Sequence, residues 1–468
     1  MAETLKEFIP KIERLAQEQG LEYYPVDFEL VPQSFMMEVA VYGLPVRMPH
    51  WSFGVRWIYQ MVQHRMGHSK IFEVVFPGNP NRAYLVDTNS VEENTLVVAH
   101  VLGHADFSHN NMTFVRSQQQ AGYHIVEQAA AHAHRIEEVI ETEGTKRVEQ
   151  VLDAALALEQ HIDTNQALNR PDYYRERRPE GGDEGGPAGS EGGDGGFRNR
   201  FAQLPGEGTD AEPRARRAPS APIPPQPESD LLWFIAHYAP EMEDWERDIF
   251  LAVREESYYF QPVFNCQIMN EGWASYWHSR LLREAEFLPS AMYVDCMKTH
   301  SDVVRPYGSD KQIALQVNPY HLGYTMWEKL VEEKGLEAAR QIMREEDDFG
   351  FVRNYLTPEL AEQLQLFVFN AKKNGEIKVT DSNLHELHEA ILSPKFNFGA
   401  PRVQAQEVKQ DGTLVLRHNH AGDGRGLDAA RARRVLEYVD RVWRRPVRLF
   451  TTDERGREIC LKPGWEED

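Results

Sequence analysis

The sequence predicts a mainly α-helical fold with a short β-hairpin and a small C-terminal α+β module. Apolar residues recur at helical spacing through most of the chain. Two β-rich runs, KIFEVVF at 70–76 and RAYLVDT at 82–88, flank the turn-forming PGNPN. Beyond residue 400 the pattern alternates at strand period on both sides of one helical stretch.

In chain order, MAETLKEFIPKIERLAQEQG is a charged amphipathic helix without the apolar centre of a signal peptide. After the hairpin, Ser90 opens S-V-E-E, a capping box with Glu93 as its return residue, and the helix TLVVAHVLGHADF follows. A long helix is expected at 113–142, carrying His124, His132 and His134, and another at 146–168. Residues 173–228 are dense in Gly, Pro and charge, too poor in apolar surface to offset their ordering entropy, and read as a flexible linker. Helices are expected again near 241–259, 268–287, 320–333, 336–346, 357–370 and 382–392. The chain thus divides into an N-terminal helical half (1–172), the linker, a C-terminal half of the same core (229–400) and a ββαββ module (401–468). Its turns are marked by Asp411-Gly412 and Arg455-Gly456.

Composition narrows the functions available. With 51 basic and 73 acidic residues the net charge is −22, which repels phosphate backbones and argues against nucleic acid as a ligand. No segment is apolar enough to span a membrane, so a cytoplasmic protein is expected. Three scattered cysteines, Cys266, Cys296 and Cys460, suggest buried apolar residues rather than a disulfide framework or thiolate metal site.

The chemistry concentrates in two places. His100 and His104 in AHVLGH are four residues apart, so one helical face presents both imidazoles. Far downstream, MNEGWASYWH carries Glu271 and His278. Two imidazoles and one carboxylate with an open position form the catalytic zinc arrangement, and the same donors suit iron. His278, two turns beyond Glu271, is placed behind the ligands, and Asp106 either orients an imidazole or caps the helix. The hairpin, the His-bearing helix and the downstream N-E-G-W-A together resemble a gluzincin-like α+β core. One element is missing: where H-E-x-x-H proteases carry their general base, this chain has Val101. Glu256 of the Glu255-Glu256 pair, His132, and His321 in NPYHLG are the candidates for moving protons. His50 and Trp51 in PHWSFG are candidate substrate-facing residues. His64 and His68 repeat the four-residue spacing, but in polar surroundings that favour an exposed face.

YGLPVRMPHWSFG (42–54), NSVEENTLVVAHVLGHADF (89–107), VREESYYFQP (253–262), IMNEGWASYWHSR (268–280) and NPYHLG (318–323) are long, specific strings. Through them the chain resembles the SpoVR family of stage V sporulation protein R-like proteins, along nearly its whole length apart from the linker. The resemblance implies a cytosolic protein linked to the spore cortex in spore formers and to stress responses elsewhere. It also implies two partners, a serine-kinase-like AAA+ protein and a von Willebrand A-type protein. It implies no reaction. The residues themselves point to a metal-dependent hydrolase of a peptide or amide bond, and the resemblance implies that the bond belongs to a cell-wall precursor. The alternative is a catalytically inactive scaffold that keeps the site.

Overall fold

The computed structural model describes residues 2–65, 72–165, 223–305, 317–366, 368–371, 377–381, 384–420, 426–453 and 455–464. Helix α1 (Ala2–Glu18) leads through strand β1 (Val26–Val31) to α2 (Gln33–Tyr42) and α3 (Trp51–Arg65). Strands β2 (Glu73–Phe76) and β3 (Asn81–Val86) form the expected antiparallel hairpin, with Val75 opposite Ala83. β1 pairs in parallel with the other side of β3, giving the order β1-β3-β2. The alternation in VDFELV is the strand signal for β1, masked by its helical surroundings.

Helix α4 (Val91–Asn110) starts where the capping box predicts: the Glu93 amide donates to Ser90 Oγ and the Ser90 amide to Glu93 Oε2. Every residue from Asn94 to Ser108 is buried, as befits a helix walled in on all sides. The single helix expected over 113–142 is instead α5 (Met112–Ala121) and α6 (Ile125–Glu143), parted where Gly122 turns to a φ of +86°. α7 (Thr145–Ala157) ends the half.

The chain resumes with α8 (Leu231–Tyr238), α9 (Asp244–Asn265), α10 (Gln267–Glu284), α11 (Ser290–Val303), α12 (Pro319–Lys334), α13 (Leu336–Glu345), α14 (Asp348–Tyr355), α15 (Pro358–Gln363) and α16 (Leu384–Leu392). The helix expected over 357–370 stops at Gln363, and an antiparallel pair, β4 (Val368–Ala371) with β5 (Ile377–Asp381), takes its place. α8, α11 and α14 have no counterpart among the predicted helices. The tail is the expected ββαββ module, β6 (Val403–Val408), β7 (Leu414–His418), α17 (Ala429–Trp443), β8 (Val447–Thr452) and β9 (Glu458–Leu461), with β7 and β8 parallel at its centre. Cys266 and Cys296 are buried as expected, but Cys460 is exposed on β9. Residues 166–222, which take in the end of the N-terminal half and most of the linker, and the side chains of His64 and His68 lie outside the described residues.

Two hydrophobic cores form. One gathers α1, α4, α10 and α12 through α15, with Trp273, Trp277 and Trp327 fully buried. The other gathers α6 through α9 and the C-terminal module, whose Trp443 stacks on Phe234 of α8 with ring centres 6.1 Å apart.

Helices α4, α10 and α12 approach so closely that glycine is required at the crossings. A Cβ on Gly103 would lie 2.6 Å from Ala274 Cα, and one on Gly272 would lie 2.3 Å from the Gly323 carbonyl carbon. The N-terminus of α10 is pinned by buried Asp348, whose two carboxylate oxygens accept from the amides of Ile268 and Met269 at 2.9 Å each. At the other end of α4, Asp106 accepts from the Trp273 indole and the Glu22 amide, both at 2.8 Å. It ties α4 to α10 and to the loop after α1, instead of orienting an imidazole.

Two predictions follow from this packing. Gly272→Ala forces α10 and α12 apart and costs about 1–3 kcal/mol or more, read as a lower urea midpoint. Burial raises the Asp106 carboxyl to about 6 against the pull of the Glu22 and Trp273 donors. Because this folded value exceeds the unfolded one, its stabilising contribution is complete below pH ~4 and lost as pH rises through about 6, roughly 2–3 kcal/mol in all. Urea titrations of Asp106→Asn across that range should lack this slope.

Candidate metal centre

The three predicted ligands meet between α4 and α10. Glu271 Oε2 is 3.6 Å from His100 Nε2 and 3.5 Å from His104 Nε2, and all three ligand atoms lie within 4.8 Å of one another. Tetrahedral ligands on bonds of about 2.1 Å stand about 3.4 Å apart, so these two edges already match a bound cation.

Each imidazole is held from behind. His104 Nδ1 donates to Asn270 Oδ1 at 2.9 Å, which turns Nε2 toward Glu271. His100 Nδ1 is 2.9 Å from His278 Nδ1, and His278 Nε2 is 2.6 Å from His300 Nδ1 on α11. Two neutral tautomer sets satisfy the chain, and in the one where His100 donates to His278 and His278 to His300, His100 Nε2 is left as a lone pair. Burial, with His100 and His300 adding to it, holds His278 well below the usual histidine range, and burial brings His300 down to about 4. Both are therefore neutral near pH 7, as this set requires.

Burial opposes charge on Glu271, but the His104 and His100 imidazoles outweigh it and hold the carboxyl well below the usual range. Burial likewise opposes charge on His104, and Glu271 outweighs it, so this imidazole is raised. Nevertheless His100 Nε2 and Glu271 Oε2 are buried with no hydrogen-bond partner. Such orphaned atoms are costly unless something bridges them. The donor set of two imidazoles and one carboxylate fits zinc or iron.

Glu73, which no sequence motif singled out, also reaches this site. It opens β2, and its Oε1 lies 3.8 Å from His100 Nε2. Burial raises its carboxyl, against the attraction of His100 and His104. An acid in an otherwise apolar hairpin strand was the available signal.

The other predicted residues go elsewhere. Glu256 is wholly buried, with Oε2 accepting from Arg47 Nε at 2.6 Å and Oε1 lying 3.6 Å from His132 Nδ1. His132 Nε2 is 3.4 Å from Glu255 Oε2; burial works against its charge, but the two carboxylates outweigh it and raise it to about 9. This group belongs to the second core, and among the described residues no hydrogen bond or ion pair joins it to the triangle. His321 is half-buried at the start of α12 and bonds toward the Val304 backbone. Its neighbour Tyr320 is the residue that lies over His100, ring centres 6.1 Å apart and nearly parallel. His50 and Trp51 both bond Asp153 of α7, at 3.1 and 2.9 Å, away from the ligands. His278 alone of the supporting residues reaches a ligand from where its spacing predicts.

Among the described residues, no helix is long and apolar enough to cross a membrane. Family models described as SpoVR like protein and SpoVR-like C-terminal domain match residues 1–398 and 401–454. An uncharacterized protein of Escherichia coli (strain K12), YcgB, is 29% identical over 503 residues, which cover 97% of this chain and 93% of that protein. No solved structure matches. The chain therefore belongs to the SpoVR family.

Proposed function

We propose that this protein is a metal-dependent hydrolase of peptide or amide bonds, with a zinc ion held by His100, His104 and Glu271 in a gluzincin-like α+β core. The observation that carries this reading is the convergence of three ligand atoms, from His100, His104 and Glu271, within 4.8 Å of one another, two of them buried without a hydrogen-bond partner. Iron is the alternative occupant. A cation there supplies Lewis acidity toward a carbonyl oxygen and toward water.

The sheet favours an extended substrate. β2 is the outer strand, and among the described residues no strand pairs with its free edge. A peptide adding as a further strand would satisfy those backbone groups and run past the triangle, because Glu73 on β2 is already beside His100. With the family resemblance, this supports a cytosolic enzyme acting on a cell-wall-derived peptide in spore-cortex formation or a stress response. Its proposed partners are a serine-kinase-like AAA+ protein and a von Willebrand A-type protein. Val101, fully buried and aliphatic, favours the second reading, an inactive scaffold that retains the cation.

Elemental analysis of the purified full chain should find a single equivalent of zinc or iron, lost in His100→Ala/His104→Ala. Retention of the metal in that double variant rejects the ligand assignment. Cleavage of peptides or muropeptides by the metal-loaded protein supports the hydrolase, while a metal-loaded protein inert across such a panel supports the scaffold. Cation uptake must displace the proton that Glu271 draws onto His104, so affinity should fall as pH drops through the raised value of that imidazole. Zinc binding measured by calorimetry at several pH values checks this.

A further inference from the structure

We infer that Glu73 is the proton acceptor of this site, supplied from the edge strand because position 101 on the ligand helix holds valine. The inference rests on the metal-dependent reading above and assigns the residue that completes it.

Strand geometry aims the carboxylate. Alternation on β2 sends Val75 into the first core and Val74 into the second, so Glu73 shares the face of Val75, toward α4. Its Oε1 is 3.8 Å from His100 Nε2, on a side chain only 16% exposed. Glu73 is nevertheless not one of the residues whose ligand atoms all lie within 4.8 Å of one another. It therefore borders the ligand triangle without completing it as a corner, the placement needed to take a proton from a water at the remaining position. Two carboxylates, Glu73 and Glu271, approach the same imidazole nitrogen at 3.8 and 3.6 Å. Such crowding of like charge is costly unless a cation and a transferable proton lie between them.

Val101 cannot share this duty. It is wholly buried and belongs to the first core, packed among apolar side chains.

In the reaction, the water oxygen bonds to the substrate carbonyl carbon as a water proton passes to Glu73 Oε1. Collapse breaks the C–N bond, and the same proton goes from Glu73 to the leaving nitrogen. The products are a carboxylic acid and an amine, and Glu73 returns to its carboxylate. An acceptor of this kind contributes typically 10²–10⁴-fold in rate.

Acetohydroxamic acid tests the assignment without a known substrate, because it chelates a cation only after giving up its hydroxyl proton. The full chain, stripped and reloaded with cobalt(II), is titrated with it and followed in the visible cobalt bands. Wild type should take up a single equivalent of cobalt and respond to the hydroxamate. Glu73→Gln should keep the cobalt but bind hydroxamate roughly 10–100-fold more weakly, the worth of one charge-assisted hydrogen bond. Glu73→Asp, which keeps the carboxylate, should recover part of that loss and carries the comparison if the glutamine variant does not fold. Loss of cobalt in Glu73→Gln would make Glu73 a ligand and overturn the inference. So would an unchanged hydroxamate affinity, or a cobalt-loaded wild type that ignores hydroxamate. A wild type that takes up no cobalt instead rejects the metal-dependent reading itself.

Discussion

The separation between α4 and α10 governs everything at the ligand triangle. Gly103 against Ala274, and Gly272 against Gly323 of α12, let three backbones meet where any side chain would hold them apart. Asp348 fixes the start of α10 and Asp106 links it to the far end of α4. Between these anchors Glu271 has little freedom to move away from His100 and His104. The preorganisation is structural: the helices place the three side chains, and the Nδ1 contacts to His278 and Asn270 turn Nε2 of each imidazole toward Glu271.

The second buried polar cluster has a different logic. Arg47, Glu256, His132 and Glu255 form a charged string between the α2–α3 loop, α9 and α6, with Arg47 also 3.5 Å from Glu159. Cations and carboxylates are interleaved, so charge is compensated inside the group. Removing one member of a buried pair such as Arg47–Glu256 typically costs about 3–5 kcal/mol, because the remaining charge is left unpaired. The string therefore acts as a specific lock within the second core. The triangle differs in its make-up: two imidazoles and one carboxylate bring a ligand atom each to within 4.8 Å of one another, with no guanidinium among them to compensate charge.

Local signals were legible in the sequence and long-range ones were not. The four-residue spacing of His100 and His104, the Ser90 capping box, the β2–β3 hairpin and the strand alternation of the tail are written within a few residues of each other, and each has its counterpart in the structure. Glu271 could be paired with the histidines because its setting, NEGWA, is unusual. Glu73 could not, because a lone acid at the start of a strand acquires meaning only once the sheet is laid against α4. The roles considered for Glu256, His132 and His321 assumed proximity that helix order alone does not give. Two cores separate the first two from the triangle, and at the start of α12 it is Tyr320 that lies over His100. The break at Gly122 and the β4–β5 pair were hidden for a related reason. The expected helices run through Gly122 and on to residue 370, where a positive φ in one case and a partner strand in the other decide against them.

The order of donors along the polypeptide has a temporal consequence. A ribosome releases both imidazoles well before it polymerises the carboxylate, with residues 105–270 still to be made. A nascent chain thus offers any passing ion only a weak bidentate grip. All three donors stand together only after α10 has emerged and wedged itself against α4. Closure of the donor triangle is then a late event in the maturation of this molecule, and it reports that two distant stretches of the chain have found each other.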